Sequence, residues 1–525
     1  MKNEHCSFPT IGDLIRGIFN ASGLLARKNS EERIINESNK KTIQMKLKRL
    51  SDETSRLDDQ LNELLSLLTD LLYEVIRDEK VVLAIMASLD DVLAQYKDLI
   101  REEGTYLSYS DSVKWLIYSR GLERLVISIN KNQLAFNISQ SNFNFPKDFR
   151  WYLPTFSEEG VVWPIKKVWL WIYSEMGMSQ RQFHLISGKH AEQQERYLEN
   201  VQRWSCDRQL PSTNAMLDCL DRSLYLLKTD KNINVSECQE KSFRTALLIA
   251  RISTYVFKSI QTHFGNHFTK SITRTISVQY NRLKKESEDI RGICKKVNDL
   301  SSNIPKNITD NLIFDAVTQY WYNKSDKIIK YSHLNKNEII SLSKNNKLPS
   351  RHKIRQIRNQ VGEFMLSSLL RQYKIDFIMM PSQDFGNLYF EGLSIKKGPK
   401  SIEEIVSYRN KLINKNLIEQ LEWLVNWSYA NYYYRIESFS DAYPYYKMAF
   451  EQGKYSAGKN QYMLVNQYIE ICAKNNKLKD FKKGISWANY LGLDVRWLRN
   501  MEDPESEGSI KLLYALFSKA RYFDV

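Results

Sequence analysis

The chain has 525 residues, 42% hydrophobic and 26% charged, with a formal net charge of +15. That apolar fraction excludes a disordered chain, and 11 prolines and 19 glycines are too few for a collagen-like or linker-dominated one. So few breakers in a chain long enough for several cores predict a mainly α, multidomain fold.

The start, Met1 to Cys6, has no apolar core of a secretory signal. Apolar runs such as Val81 to Leu89 are about half the roughly 20 residues of a spanning helix, and Arg251 interrupts Thr245 to Phe257. No membrane segment is expected. The six cysteines are scattered without a CxxC pair, which fits a reducing, cytoplasmic setting better than a disulfide framework or zinc site.

Residues 1–104 read as a long-helix assembly region. Ile43, Leu47, Leu50, Thr54, Leu57, Leu61, Leu64, Leu68, Leu71 and Val75 follow a 4-3-4-3 spacing, the a/d seam of a coiled coil or helical hairpin. Such a seam serves self-association through residues 43–75, or packs inside the chain on the helix that follows.

Residues 105–230 form an aromatic-rich region. Leu125 to Ile129 and Leu134 to Ile138 predict a short β-hairpin across Asn130 to Gln133. Trp151, Trp163, Trp169, Trp171 and Trp204 follow. Trp169, Ile172 and Tyr173 are at helical spacing and read as core, with a platform for stacked bases as the other reading. A second hairpin is expected from Phe377 to Met380 and Leu388 to Phe390, closing a basic helical region at 231–374.

Charge is uneven along the chain. Residues 1–104 are net −4 and residues 375–525 net +2, so residues 105–374 carry +17. Within them 321–374 hold 12 basic against three acidic residues. This asymmetry points to a polyanionic partner, the alternative being a solvated basic face.

Two segments in the middle echo each other. Arg203-Trp204-Ser205-Cys206-Asp207-Arg208-Gln209-Leu210-Pro211-Ser212 precedes Met216 and Leu220. Ser341-Leu342-Ser343-Lys344-Asn345-Asn346-Lys347-Leu348-Pro349-Ser350 precedes Ile354 and Ile357. Both resemble the end of a Cro/repressor-type helix-turn-helix domain, where the recognition helix ends in Trp and Pro-Ser opens the next helix. The resemblance implies Leu198, Val201 and Trp204 inside, and Glu199, Gln202 and Arg203 outside. The second segment lacks the Trp, and Ser187 to Arg196 is longer than the family's turn. It gathers Lys344, Lys347, Arg351, Lys353, Arg355 and Arg358 without an acid. On a helix from Ser350, Arg351, Arg355 and Arg358 share one face, suited to following phosphates.

Residues 375–525 read as helical repeats. Ala430, Tyr433, Ala442, Tyr446 and Ala449 resemble the tetratricopeptide pattern, with helix A over Trp427–Tyr433, a turn at Glu437-Ser438 and helix B over Ala442–Phe450. Phe481, Ile485 and Ala488 repeat the helix-B positions 39 residues on, and Lys454 stands where the family has proline. The resemblance implies a groove for a protein partner; a hairpin layer that only caps the core is the alternative.

Enzyme motifs are absent: no GxxxxGK[ST], GxGxxG after a strand, HExxH or GxSxG occurs. No cofactor is expected. His263 and His267 would share a helical face, but no third ligand lies at a recognisable spacing. Asp384 and Glu391 with Lys396 are the candidates for a divergent metal-dependent nuclease, although Glu-x-Lys spacing is missing. The expected function is a non-catalytic nucleic-acid-binding subunit or regulator, DNA favoured over RNA, through Arg203, Arg208 and the six basic residues of the second segment. Bacterial regulators and mobile-element or phage-defence (antiviral) components combine such parts, a fold-level analogy. A scaffold for an acidic protein partner is the other binding reading.

Overall fold

The computed structural model describes residues 9–24, 37–53, 56–103, 145–158, 160–185, 191–206, 209–300, 305, 312, 383–399, 401–498 and 501–520. The architecture is mainly α, with one small antiparallel hairpin among the described residues, and the C-terminal helices pack in a repeat-like arrangement. The chain divides into two compact units, Met1–Trp115 with Asn142–Val256 and Ile378–Val525, and Leu116–Ser141 with Phe257–Phe377.

Helices α1 (Ile11–Ser22), α2 (Glu37–Asp52), α3 (Leu57–Ile76) and α4 (Glu79–Glu103) pack consecutively. Thr10 caps α1 by accepting the Asp13 N–H at 3.1 Å, and Gly23 ends it at φ 68°. The heptad seam does not run through one helix. Glu53 and Arg56 take left-handed backbone at φ 49° and 50°, which ends α2 and lets α3 start anew. Ile43, Leu47, Leu50, Leu57, Leu61, Leu64, Leu68, Leu71 and Val75 are all buried within the single chain. The seam is filled by the chain's own helices.

Strands β1 (Thr155–Ser157) and β2 (Gly160–Val162) form the hairpin, with Phe156 opposite Val161. The hairpin expected at 125–138 lies outside the described residues. Next come α5 (Pro164–Glu175), α6 (Gln180–His184), α7 (Ala191–Ser205), α8 (Thr213–Lys231) and α9 (Glu237–Leu300). Pro164 at the first position of α5 loses no helical bond. Trp151, Trp163, Trp169 and Trp204 are buried, so they are core and present no ring faces to bases. Arg251, which interrupts an apolar run of α9, is buried and useful: its guanidinium donates to the carbonyls of Pro211 (3.0 Å), Asn20 (2.7 Å) and Ala21. It thereby satisfies the Ala21 carbonyl left open where α1 ends and shares that of Asn20 with the Gly23 N–H.

The second expected hairpin is corrected. Leu388-Tyr389-Phe390 lies inside α10 (Gln383–Lys397), while 377–382 fall outside the described residues. Phe385, Leu388, Tyr389, Gly392, Ile395 and Lys396 are its buried residues, a 3.6-residue period that outweighs three strand-prone neighbours. Then follow α11 (Ile402–Asn414), α12 (Ile418–Arg435), α13 (Phe439–Gly453), α14 (Gln461–Lys474), α15 (Leu478–Leu491) and α16 (Glu507–Lys519). The α12–α13 hairpin turns at Glu437 (φ 58°), and Ala430, Ala442, Tyr446 and Ala449 are fully buried between the helices. Phe481, Ile485 and Ala488 of α15 are equally buried. Small residues let backbones approach: a Cβ on Gly484 would sit 2.7 Å from Ile469 Cγ1.

Helices α3 and α4 pack on α15 within the first unit. A buried ionic cluster joins these parts. The Lys454 ammonium is 2.5 Å from Glu53 Oε2 and 2.7 Å from Glu451 Oε2, and Lys483 also pairs with Glu451. The Tyr455 hydroxyl donates to Glu53 and accepts the Ile11 N–H at 3.3 Å. Burial opposes the Lys454 charge, but attraction from Glu53 and Glu451 outweighs it and holds the ammonium above its usual range.

Candidate functional site

Of the basic residues expected to bind nucleic acid, Arg203 is in the described part. Arg208, Lys344, Lys347, Arg351, Lys353, Arg355 and Arg358 lie outside the described residues. Helix α7 buries Val201 and Trp204, half-buries Leu198 and exposes Glu199, Gln202 and Arg203. Ser212 caps α8 by accepting the Ala215 N–H at 3.1 Å. The exposed face of α7 carries Glu192, Glu195 and Glu199 against Arg196 and Arg203, and Arg203 pairs with Glu199 at 3.4 Å. That face lacks the net positive charge that a phosphate-following surface needs.

The most unusual polar group lies in the C-terminal helices. Lys396, in the last turn of α10, is 2% exposed, and its ammonium sits 3.4 Å from the Trp427 ring centroid and 3.1 Å from Met463 Sδ. Cation–π attraction and a thioether are weak substitutes for a carboxylate. Burial, helped by the neighbouring Lys397 charge, pulls the ammonium down to about 7. The Trp427 indole N–H donates to Gln467 Oε1 at 2.5 Å. An indole only donates, so the Gln467 amide cannot be flipped, and its Nε2 has no partner among the described residues. Asn431 donates to the Lys396 carbonyl at 2.8 Å and accepts the Tyr446 hydroxyl at 2.6 Å. These groups make a polar node tying α10, α12, α13 and α14. A lysine deprotonated near neutrality is a nucleophile, but 2% exposure closes Lys396 to a substrate. The sequence singles out Lys396 only beside Asp384 and Glu391, and nothing in it signals the burial.

The nuclease candidates do not form a site. Asp384 pairs with Lys415 at 3.1 Å and Glu391 with Lys411 at 2.7 Å, so both carboxylates serve as ties from α10 to α11. Lys396 points into the core instead. His263 and His267 are separated by Gly265, whose φ of 83° and ψ of 171° break the helix between them. Among the described residues no group of three or more His, Cys, Asp and Glu side chains could hold a metal ion. No helix among them is long and apolar enough to cross a membrane.

No family model matches the chain, and no curated protein or solved structure matches it either. Function therefore rests on residues and geometry alone.

A second buried centre surrounds His184, which is fully buried against Trp169, Tyr173 and Phe183. The Ser223 hydroxyl donates to the Cys219 carbonyl at 2.9 Å, so it accepts from His184 Nδ1, also at 2.9 Å. His184 Nε2 then accepts the Tyr173 hydroxyl at 2.9 Å. Burial depresses the imidazole to about 3 and raises the Cys219 thiol. A neutral histidine with both nitrogens satisfied is a structural part of the core rather than an acid or base at work.

Proposed function

We propose that this chain is a non-catalytic nucleic-acid-binding subunit or regulator of a larger intracellular assembly, which docks a protein partner on its C-terminal helices. The observation that carries the reading is the excess of +17 in residues 105–374, between a slightly acidic N-terminal region and a nearly neutral C-terminal one. Arg351, Arg355 and Arg358 at i, i+4 and i+7 supply phosphate contacts, and Lys344, Lys347 and Lys353 add to them. The Leu-Pro-Ser resemblance favours DNA over RNA. The repeat-like packing of α10 to α16 supports the docking role. Ion pairing of Asp384 and Glu391 weighs against a nuclease.

The test is binding of a labelled DNA duplex by the full chain and by its R351E/R355E/R358E variant, with magnesium or manganese present. The reading expects binding at low salt, at least tenfold weakening in the variant, and an intact probe. Absent binding at low salt, or equal binding by the variant, contradicts it. Metal-dependent cleavage of the probe contradicts its non-catalytic part.

A further inference from the structure

We propose that the exposed face of α9 beyond Gly265 is a second phosphate-tracking surface, fitted to duplex nucleic acid without regard to base sequence. This deepens the nucleic-acid reading and rests on it.

The break at Gly265 starts a new helical run from Asn266 to Leu300. Lys270, Arg274, Lys285, Lys295 and Lys296 are exposed on it. At about 100° per residue these five fall within an arc of about 100°, and at about 1.5 Å per residue they span about 39 Å of axis. Glu288 and Asp299 lie on the same side, so the face carries five basic against two acidic residues.

Alignment sets this face apart. Some surface cations of the first unit are tied to acids, as in Arg16–Asp13, Lys411–Glu391 and Lys415–Asp384. Among the described residues no acid is paired with Arg274, Lys285, Lys295 or Lys296. Cations left unpaired in a row are available to an external polyanion.

Two features select a duplex. A duplex carries one phosphate per about 1.7 Å of axis and stays straight far beyond 39 Å, its persistence length being about 150 base pairs, so a fixed row of cations meets about one turn of it. Single-strand sites rely on aromatic platforms, whereas Phe264 and Phe268 here pack on each other at 5.0 Å and Phe268 is buried. Four of the five cations are lysines, which meet phosphates as point charges rather than through the planar fork of arginine.

The experiment compares the full chain with K270Q/R274Q and K295Q/K296Q variants. The probes are a 20-base-pair duplex of mixed sequence, a second duplex of shuffled sequence, and one strand alone. Helix content by circular dichroism confirms that the variants fold. Each double variant is expected to lower the slope of log affinity on log salt by about 1.8, that is about 0.9 per lost contact. The two duplexes should bind within about threefold, and the single strand more weakly. Unchanged slopes in both variants, with binding lost in R351E/R355E/R358E, overturn this surface and leave the function standing. Tighter binding of the single strand overturns the duplex assignment. No binding by the wild-type chain at low salt overturns both.

Discussion

Lys396 and His184 show how burial sets the charge of a single residue, with opposite consequences for stability. Lys396 is a cation on an indole face with no carboxylate paired to it among the described residues, so at neutral pH its burial is a cost. Replacing it by Met, which keeps the aliphatic stem and removes the charge, should stabilise the chain by about 1–2 kcal/mol at pH 7 in urea unfolding. The folded ammonium titrates near 7 and the unfolded one near 10.5, so the unfolded state binds the extra proton between them. Wild-type stability should therefore rise from pH 7 towards 10.5 relative to K396M, closing the gap. A variant less stable than wild type at pH 7 would show that the indole contact outweighs the burial cost.

His184 runs the other way along the pH scale. Its folded pKa is about 3 against 6.5 unfolded, so its contribution is complete above 6.5 and is lost as pH falls towards 3. Unfolding free energy should drop by about 1.4 kcal/mol per unit below pH 6.5 from this residue alone. His184→Gln can still bond to Ser223 and Tyr173 but does not titrate, and should remove that part of the slope. An unchanged acid limb in the variant would mean that another group sets it.

Among the elements, the ends of helices matter more than their middles. Gly23 ends α1 at φ 68°, and a Cβ there would lie 2.2 Å from Arg251 Nε. Gly23→Ala should cost about 2 kcal/mol or more, from left-handed backbone and from displacing a guanidinium bound to three carbonyls. Lys454 closes α13 and meets Glu53 just after α2. Lys454→Met should cost about 3–5 kcal/mol by leaving the buried Glu53 carboxylate without its counter-ion, and adding Glu53→Gln should recover part of it. Additive losses in chemical denaturation would show that the two residues are not coupled.

Helix boundaries also mark what could be read in advance. The helix pair expected from the resemblance to the tetratricopeptide pattern falls on α12 and α13, with Ala430, Ala442 and Ala449 buried. The seam from Ile43 to Val75 kept its phase across the break at 53–56, and phase alone cannot report a left-handed residue. Leu388-Tyr389-Phe390 looked strand-like because three adjacent apolar residues fit either period, and its neighbours decided for helix. Lys454 looked like a departure from the repeat pattern; in the fold it is the centre of an ionic cluster. Buried lysines escape sequence reading because lysine is overwhelmingly a surface residue.

Across the whole molecule, charge is the feature that distinguishes its parts. The charge sums point to the middle of the chain, and 321–374 hold the highest density. The cationic face of α9 is not legible as a charge block in the sequence, because acids are interspersed among its cations and helical geometry is needed to bring five of the cations onto one side. The acidic-leaning face of α7 makes Arg203 a weak candidate: Arg203→Ala should leave nucleic-acid affinity within about twofold in a filter-binding assay, since an exposed ion pair contributes little.

The central claim is that the middle of this chain holds nucleic acid through phosphate contacts. The most direct measurement is the equilibrium affinity of the full chain for a mixed-sequence DNA duplex as salt is raised. With at least about five phosphate contacts, log affinity should fall linearly on log salt with a slope of about −4.5 or steeper, roughly 500-fold or more between about 50 and 200 mM. No measurable binding at the low end, or an affinity that does not change with salt, would contradict the claim.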